Sequence, residues 1–474
     1  MFLYILKRIL LFIPTFLVIS LVAFTLSKCS PGDPVERLLN SSSPDGGAHG
    51  MLTYKRDYQI KVRQLGLDKP TFYFELTAAA YPDTLYRIQP FNKRTLMEKF
   101  IAQYGNWASI DRFTKKREAV EQQLFELPDS LGANALIGLK KTFRNLAFVH
   151  QDKKIQYMFA KVEKVLSENP VIDQAIGTDL EQLFASYNNI RAQATPNLCA
   201  IPRFIWYGFD NQYHNWLTAF VSGDFGISLQ NGQPSGGRIR DAIWWTAVMS
   251  VLSIICAFGL AIPIGVYTAQ RQGSYFDRVT STLLFMLYSL PTFWVATMLV
   301  VFFTTPEYGK WANIFPSIGL GNLTQGDPFW PRFWQRLSHL ILPVFCLTYA
   351  SLAFIARQMR ESILSVNRLD YIRTARAKGL SSQVILWKHA FRNAIFPLIT
   401  MIALLFPAVI AGSVAIELIF NIPGMGLLVY DSIVAEDWPV VFTVLLLTAV
   451  MTMLGNLVAD ILYTFANPRV KFRS

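Results

Sequence analysis

The chain has 474 residues, of which 52% are apolar, 14% aromatic and only 16% charged, which sets it outside the range of ordinary soluble domains. Its formal charge of +12 invites a nucleic-acid partner. The basic residues mostly flank apolar runs, however, and no aromatic-interleaved basic patch occurs, so nucleic acid is set aside and membrane orientation accounts for the charge. The cysteines, Cys29, Cys199, Cys256 and Cys346, form no Cys-x-x-Cys pair, which argues against a metal or dithiol site. Cys29 and Cys199 are both expected outside, where a disulfide is chemically possible.

The first apolar run, about Ile9 to Ser27, follows Lys7 and Arg8. It is longer than a signal-peptide core and no small-x-small cleavage site follows, so an uncleaved helix with a cytoplasmic N-terminus is expected. Ser30-Pro31-Gly32-Asp33-Pro34 stops it on the far side. No spanning segment then occurs before about Arg240. Within that stretch, residues 71–211 are polar with helical periodicity: Leu96, Phe100 and Tyr104; Leu136, Leu139, Lys140 and Phe143; Ile155, Met158, Phe159, Val162, Val165 and Leu166. Pro128-Asp129, Asn169-Pro170 and Thr195-Pro196 punctuate it. A domain of about five helices is expected, with the apolar stripes as its own core.

Five further spans are expected: about Ile243 to Tyr267, Thr280 to Thr304, His339 to Ala356, Ala394 to Ala415 and Val440 to Tyr463. Each approaches the roughly 20 residues needed to cross hydrocarbon. The third contains Ser289-Leu290-Pro291-Thr292-Phe293-Trp294, and a proline there is tolerated where neighbouring helices satisfy the freed carbonyl. The N-terminus, the 271–278 and 357–392 connections and the tail (Arg469, Lys471, Arg473) are basic, whereas the loop expected from Glu417 to Pro439 has no Lys or Arg. Both termini are therefore expected in the cytoplasm, and residues 31–240 outside. Intramembrane ionisable residues are functional candidates by default. For Asp460 an ion pair with a basic inner-face residue is the favoured reading, and Glu417 at an outer helix end is read in the same structural way.

The most informative connection runs from Asp370 to Pro397. Asp370 to Lys378 reads as a short amphipathic helix, with Asp370 capping its start, Lys378 against the negative end of the dipole and Gly379 as a left-handed stop. Ser381 or Ser382 opens a second helix carrying Lys388, His389 and Arg392. The first helix is only about 13 Å long at roughly 1.5 Å per residue, too short to stand alone, and needs a partner surface. Local physics leaves two such surfaces open: anionic lipid, or a groove on a cytoplasmic protein.

Tyr371-Ile372-Arg373-Thr374-Ala375-Arg376-Ala377-Lys378-Gly379-Leu380, His389 to Pro397 and Ile422-Pro423-Gly424-Met425-Gly426 together resemble the coupling loop and Pro-Gly element of dipeptide/oligopeptide-type ABC-transporter permeases. Ser30 to Pro34, Gly223-Asp224-Phe225-Gly226, Ser289 to Trp294 and Asn467 to Val470 fit the same family. The leading triplet of the coupling motif departs from the general pattern, reading Arg373-Thr374-Ala375 with no Glu. In that family Leu65-Gly66-Leu67-Asp68 and the Gly223 segment are usually close together; here well over a hundred residues separate them, so the 71–211 domain resembles an insertion in a familiar frame.

The resemblance implies an all-α integral membrane protein with six transmembrane helices of type I ABC importer fold and an inserted helical extracytoplasmic domain. It divides into a first transmembrane helix (1–30), an extracytoplasmic region (31–240) and a five-helix permease core (241–474) with a cytoplasmic coupling loop at about 357–393. It further implies a bacterial inner-membrane location, a homologous second permease, two ABC ATPase subunits carrying ATP and magnesium, an extracytoplasmic substrate-binding protein, and import of di- or oligopeptides. The ATPase-coupling helix would be Asp370 to Gly379, with Arg373, Arg376 and Lys378 making charged contacts and Tyr371, Ile372 and Ala375 the packed face. No G-x-x-x-x-G-K-[ST] or His-Glu-x-x-His motif occurs, Gly309-Lys310 being followed by Trp311, so no catalytic residue or cofactor is expected in this chain. Two rivals remain: an ATP-independent transporter or channel, which buried charges or an inverted repeat would mark, and a membrane-anchored interaction protein acting through its outer domain.

Overall fold

The computed structural model describes residues 2–30, 32–42, 51–128, 133–305, 313–316, 318–323, 326–405 and 408–466. Pro31, Asp129, Gly309 to Trp311, and the Asn467 to Val470 segment with the basic tail lie outside the described residues. The chain divides into two compact units, one of Met1–Pro31 with Phe220–Ser474 and one of Gly32–Ala219.

Among the described residues of the first unit, four helices are long and apolar enough to cross a membrane: Leu6–Cys29, Ser235–Gln270, Phe329–Val366 and Trp438–Val458. Two bent helix pairs also qualify if each is one span, Tyr275–Ser289 with Thr292–Phe303 and Val414–Phe420 with Met425–Val434. The first bend, 91°, falls at Pro291 and is a full break of the span. Tyr349 donates a hydrogen bond to the Leu290 carbonyl at 2.9 Å, so a neighbouring helix satisfies a carbonyl that lies in the break.

The fifth expected span ends before Ala415. Helix covers Phe396–Leu405 and Ala408–Ala411, and Gly412 at φ +71° ends it. The loop expected from Glu417 to Pro439 is largely helical, with Val414–Phe420 and Met425–Val434 meeting at 87° across the Ile422–Gly424 turn. Short helices that bury several faces carry no clear period, which is why the sequence shows a loop there.

The long helices Ser235–Gln270 and Phe329–Val366 share one core, in which Ala257, Ala261 and Val266 meet Ile355, Ala356 and Met359. Their backbones approach closely at Gly265: a Cβ there would stand 2.5 Å from the Ala356 carbonyl oxygen and 2.7 Å from the Met359 Cβ. With no hydrophobic driving force between helices inside lipid, such close packing of small residues is what holds spans together.

The second unit centres on the helices Phe91–Tyr104, Trp107–Glu126, Ala133–Leu146, Asp152–Glu168 and Pro170–Ala192. Their common core contains Leu96, Phe100, Tyr104, Leu136, Leu139, Phe143, Ile155, Phe159, Val162 and Leu166. Met158 and Val165 pack at its edge, and Lys140 lies over the Phe125 ring instead of entering it. The unit is wider than residues 71–211, because Pro34–Ser42 and Met51–Gln64 pair through Val35, Tyr58 and Val62. It also departs from the all-helical expectation. Strands Phe74–Ala78 and Pro202–Trp206 pair antiparallel, with Phe74 opposite Trp206 and Ala78 opposite Pro202.

Gly105 closes the Phe91–Tyr104 helix at φ +69°, and a Cβ there would lie 2.1 Å from the Thr195 carbonyl oxygen. Gly138, inside a helix, has nothing within 4 Å of its Cβ position. Gly105→Ala should therefore destabilise this unit by more than about 1 kcal/mol, whereas Gly138→Ala should stabilise it by roughly 0.5–1 kcal/mol. Hydrogen exchange of peptides spanning 91–192 in the intact protein would show opposite changes in protection.

Candidate functional site

The short basic helix forms over Asp370–Ala377. Its N-cap is Leu369, which gives no side-chain cap. Asp370 occupies the first turn instead, and its exposed carboxylate sits 3.5 Å from Arg373; the expectation that Asp370 caps the helix is corrected accordingly. An acid in the first turn still complements the dipole. The far end follows the sequence closely. Gly379 has φ +78°, its N–H donates to the Arg376 carbonyl at 3.0 Å, and the Leu380 N–H donates to the Ala375 carbonyl at 3.4 Å. Those two bonds make a Schellman stop, with Lys378 as the C-cap residue.

Two residues anchor the helix. Ile372 is 0% and Ala375 7% exposed. They enter the core that holds Val266 and Ala269, Met359, Ile363 and Val366, and Ile385, Leu386 and Ala390. Burying an isoleucine side chain contributes about 2 kcal/mol, enough to hold a helix this short. The packed face thus turns inward to the chain's own core, and not outward to a partner as the sequence suggests. Tyr371 is not part of it: the ring is 39% exposed, and its hydroxyl accepts from Asn393 Nδ2 at 2.6 Å.

Outward lie Arg373, Thr374, Arg376, Ala377, Lys378 and Gly379, all exposed. The following segment opens at Ser381, whose hydroxyl makes no capping bond, and runs as helix Ser382–Val384, a π-helical stretch Ile385–Ala390 and helix Phe391–Ala394. The wider turns of a π stretch shift the faces of the helix. Ile385 and Leu386 lie buried while Trp387 and Lys388 stay exposed beside the basic helix. The result is a rigidly seated projection with a basic outer surface and exposed Leu380, Val384 and Trp387 around it.

A second feature braces this projection. Arg360 binds both oxygens of Asp277, each at 2.9 Å. Asp277 also accepts from the Gly273 N–H at 2.9 Å, and its own N–H is capped by Ser274. The Tyr275–Ser289 helix is thereby locked to the Phe329–Val366 helix ahead of the Asp370 turn. Sequence reasoning missed this pair, although Ser274-x-x-Asp277 is a recognisable helix-start pattern.

Two further carboxylates hold turns together. Glu417, 1% exposed, accepts from Thr246 Oγ1 at 2.9 Å and from the Leu427 N–H at 3.0 Å. Gly412, Gly424 and Gly426 crowd this point so closely that a Cβ at any of them would collide with Glu417 or with the backbone at Val414. Asp437, 0% exposed, accepts from the Ser228 hydroxyl and from the Leu229 N–H at 2.9 Å, which fixes the turns that follow Gly223-Asp224-Phe225-Gly226. Asp460 reaches Arg8 at 2.6 Å, which gives it the basic partner expected for it. All four cysteines are free thiols.

These elements define a multi-span membrane subunit with an anchored basic projection. Residues 261–472 match the family model described as "Binding-protein-dependent transport system inner membrane component". The oligopeptide transport system permease protein AppB of Bacillus subtilis is 38% identical over 262 residues, covering 55% of this chain and 80% of that protein. The dipeptide transport system permease protein DppB of Escherichia coli K12 is 35% identical over 274 residues, covering 55% and 81%. The inner membrane ABC transporter permease protein YejB of Escherichia coli O157:H7 is 34% identical over 276 residues, covering 56% and 74%. A solved inward-facing MetNI methionine ABC transporter aligns over 49% of this chain and 98% of that one at 18% identity, with a TM-score of 0.39, too remote a likeness to bear on the fold. The chain belongs to the family of binding-protein-dependent transport system inner membrane components.

The brace gives a direct test. Asp277 and Arg360 are 6% and 26% exposed, so removing one partner leaves a largely desolvated charge. Asp277→Asn should cost about 2–3 kcal/mol, and adding Arg360→Gln should cost less than the sum of the two single changes. Thermal unfolding in detergent across the double-mutant cycle measures both.

Proposed function

We propose that this chain is the permease subunit of an ATP-driven importer that carries di- and oligopeptides across the bacterial inner membrane. Family membership and the names of the relatives supply the class of cargo. The observation that carries the coupling mechanism is the seating of the Asp370–Ala377 helix: Ile372 and Ala375 are buried in the chain's own core while Arg373, Arg376 and Lys378 face away from it.

In this reading a second, homologous permease completes the path and two ATPase subunits bind beneath it. ATP and magnesium are bound by those subunits. An extracytoplasmic binding protein delivers peptide, and both termini of this chain lie in the cytoplasm. The exposed cations Arg373, Arg376 and Lys378 take the groove of an ATPase, with Leu380 and Trp387 adding apolar contact. When the ATPases close on ATP they push the helix. The push enters the permease through Ile372 and Ala375 and reaches residues 257–269 and 355–366, the packed pair whose rocking opens one side of the path and shuts the other. Gly379 sets the angle between the seated helix and the span that follows.

A mild-detergent pull-down read by mass spectrometry tests the assembly. The expected result is two ATPases, a sister permease and a peptide-binding protein; recovery of the chain alone overturns it. Gly379→Pro tests the coupling. Proline cannot adopt φ near +78° and has no N–H for the Arg376 carbonyl. Peptide uptake should fall at least tenfold while the variant still inserts into the membrane, and normal uptake would contradict the mechanism.

A further inference from the structure

The second unit contains a cleft of about 1470 Å³ whose lining, among the described residues, runs from Glu36 to Asp210. A cleft of that size exceeds the roughly 300–1,000 Å³ typical of small-ligand sites and suits a chain of several residues. Its walls are aromatic and charged with both signs. Tyr58 and Tyr207 line it, and each hydroxyl is already engaged, donating to Asp33 at 2.6 Å and to Glu75 at 2.7 Å. Burial and those carboxylates hold both phenols well above the ordinary range, so they stay neutral. Tyr207, half-buried, can offer a ligand its ring, whereas Tyr58 is only 5% exposed.

Arg117 is the unusual member of the lining. It is 5% exposed, and its Nε has no hydrogen-bond partner. The nearest carboxylate, Glu118, stands 3.7 Å from its terminal nitrogen and is more tightly engaged by Lys93 at 2.5 Å. A guanidinium stays charged and has donors arranged as a fork for a planar carboxylate, so a buried one with an idle Nε is poorly compensated. Arg63, Lys69, Arg87 and Lys93 also line the cleft, but Glu118, Glu121 and Glu126 share the helix of Arg117, so a single carboxylate suits Arg117 better than a polyanion such as a nucleotide. Glu36 and Asp68, also in the lining, suit an ammonium group.

We infer that this cleft binds a short peptide, with its terminal carboxylate on Arg117 and its side chains against Tyr207 and Phe125. The ligand class rests on the peptide-transport reading. The consequence is that the chain itself would hold its cargo, at a site separate from its spans and in addition to any binding protein.

The full-length protein in detergent should be titrated calorimetrically with the tetrapeptide Phe-Ala-Ala-Phe, with the same peptide amidated at its C-terminus, and with its N-acetyl form. The free acid should bind roughly tenfold or more tightly than the amide, and Arg117→Gln should erase that difference. Should Arg117→Gln fail to fold, the acid-to-amide ratio on the unaltered protein decides by itself. Equal binding of acid and amide, or no binding up to millimolar concentration, overturns the inference. The titration contains no ATPase, so failure of the assembly reading appears in the pull-down and failure of the cleft appears here.

Discussion

The close passage of Ser235–Gln270 along Phe329–Val366 is the constraint on which the membrane unit depends. It requires Gly265, because any side chain there would meet the Ala356 carbonyl and Met359. The same two helices supply the walls of the core into which Ile372 and Ala375 are set. A helix of two turns has no stability of its own in water. Its position is therefore a consequence of the seam beneath it, and a displacement of the helix must be felt by the seam. Arg360, on the second of these helices and close in sequence to the Asn367–Leu369 turn that leads into the projection, adds a polar lock to Asp277 on the Tyr275–Ser289 helix.

Much of this was legible in the sequence, and the exceptions share a cause. Apolar runs of about 20 residues declare spans without reference to tertiary context, and the Gly379 stop follows from local backbone chemistry alone. The helical stripes Leu136–Phe143 and Ile155–Leu166 likewise read correctly as core, because a period of 3.6 residues survives in a polar background. Direction of burial was not legible. Ile372 and Ala375 share a face with Tyr371 nearby, and nothing local says whether that face meets the chain's own helices or another protein. The hairpin at 414–434 escaped for a related reason. Its folding depends on Glu417 meeting Thr246, 171 residues earlier, and a long-range hydrogen bond leaves no periodic trace.

The Gly32–Ala219 unit has a different chemistry. Its core is that of a water-facing helical domain, with ion pairs such as Lys115–Asp111 on its surface and a tyrosine pair, Tyr104 and Tyr187, hydrogen-bonded inside. The feature unlike a plain helical domain is the cleft with Arg117 at its wall, since a buried charge without full compensation costs stability.

Transport and ATP hydrolysis measured together in proteoliposomes test the central claim, that load enters the membrane unit through the buried anchor of the basic helix. The comparison is between the unaltered complex and one carrying Ile372→Ala, which empties the anchor and leaves Arg373, Arg376 and Lys378 in place. The account predicts that ATP hydrolysis continues while peptide moved per ATP falls several-fold. An unchanged ratio of peptide to ATP would contradict it.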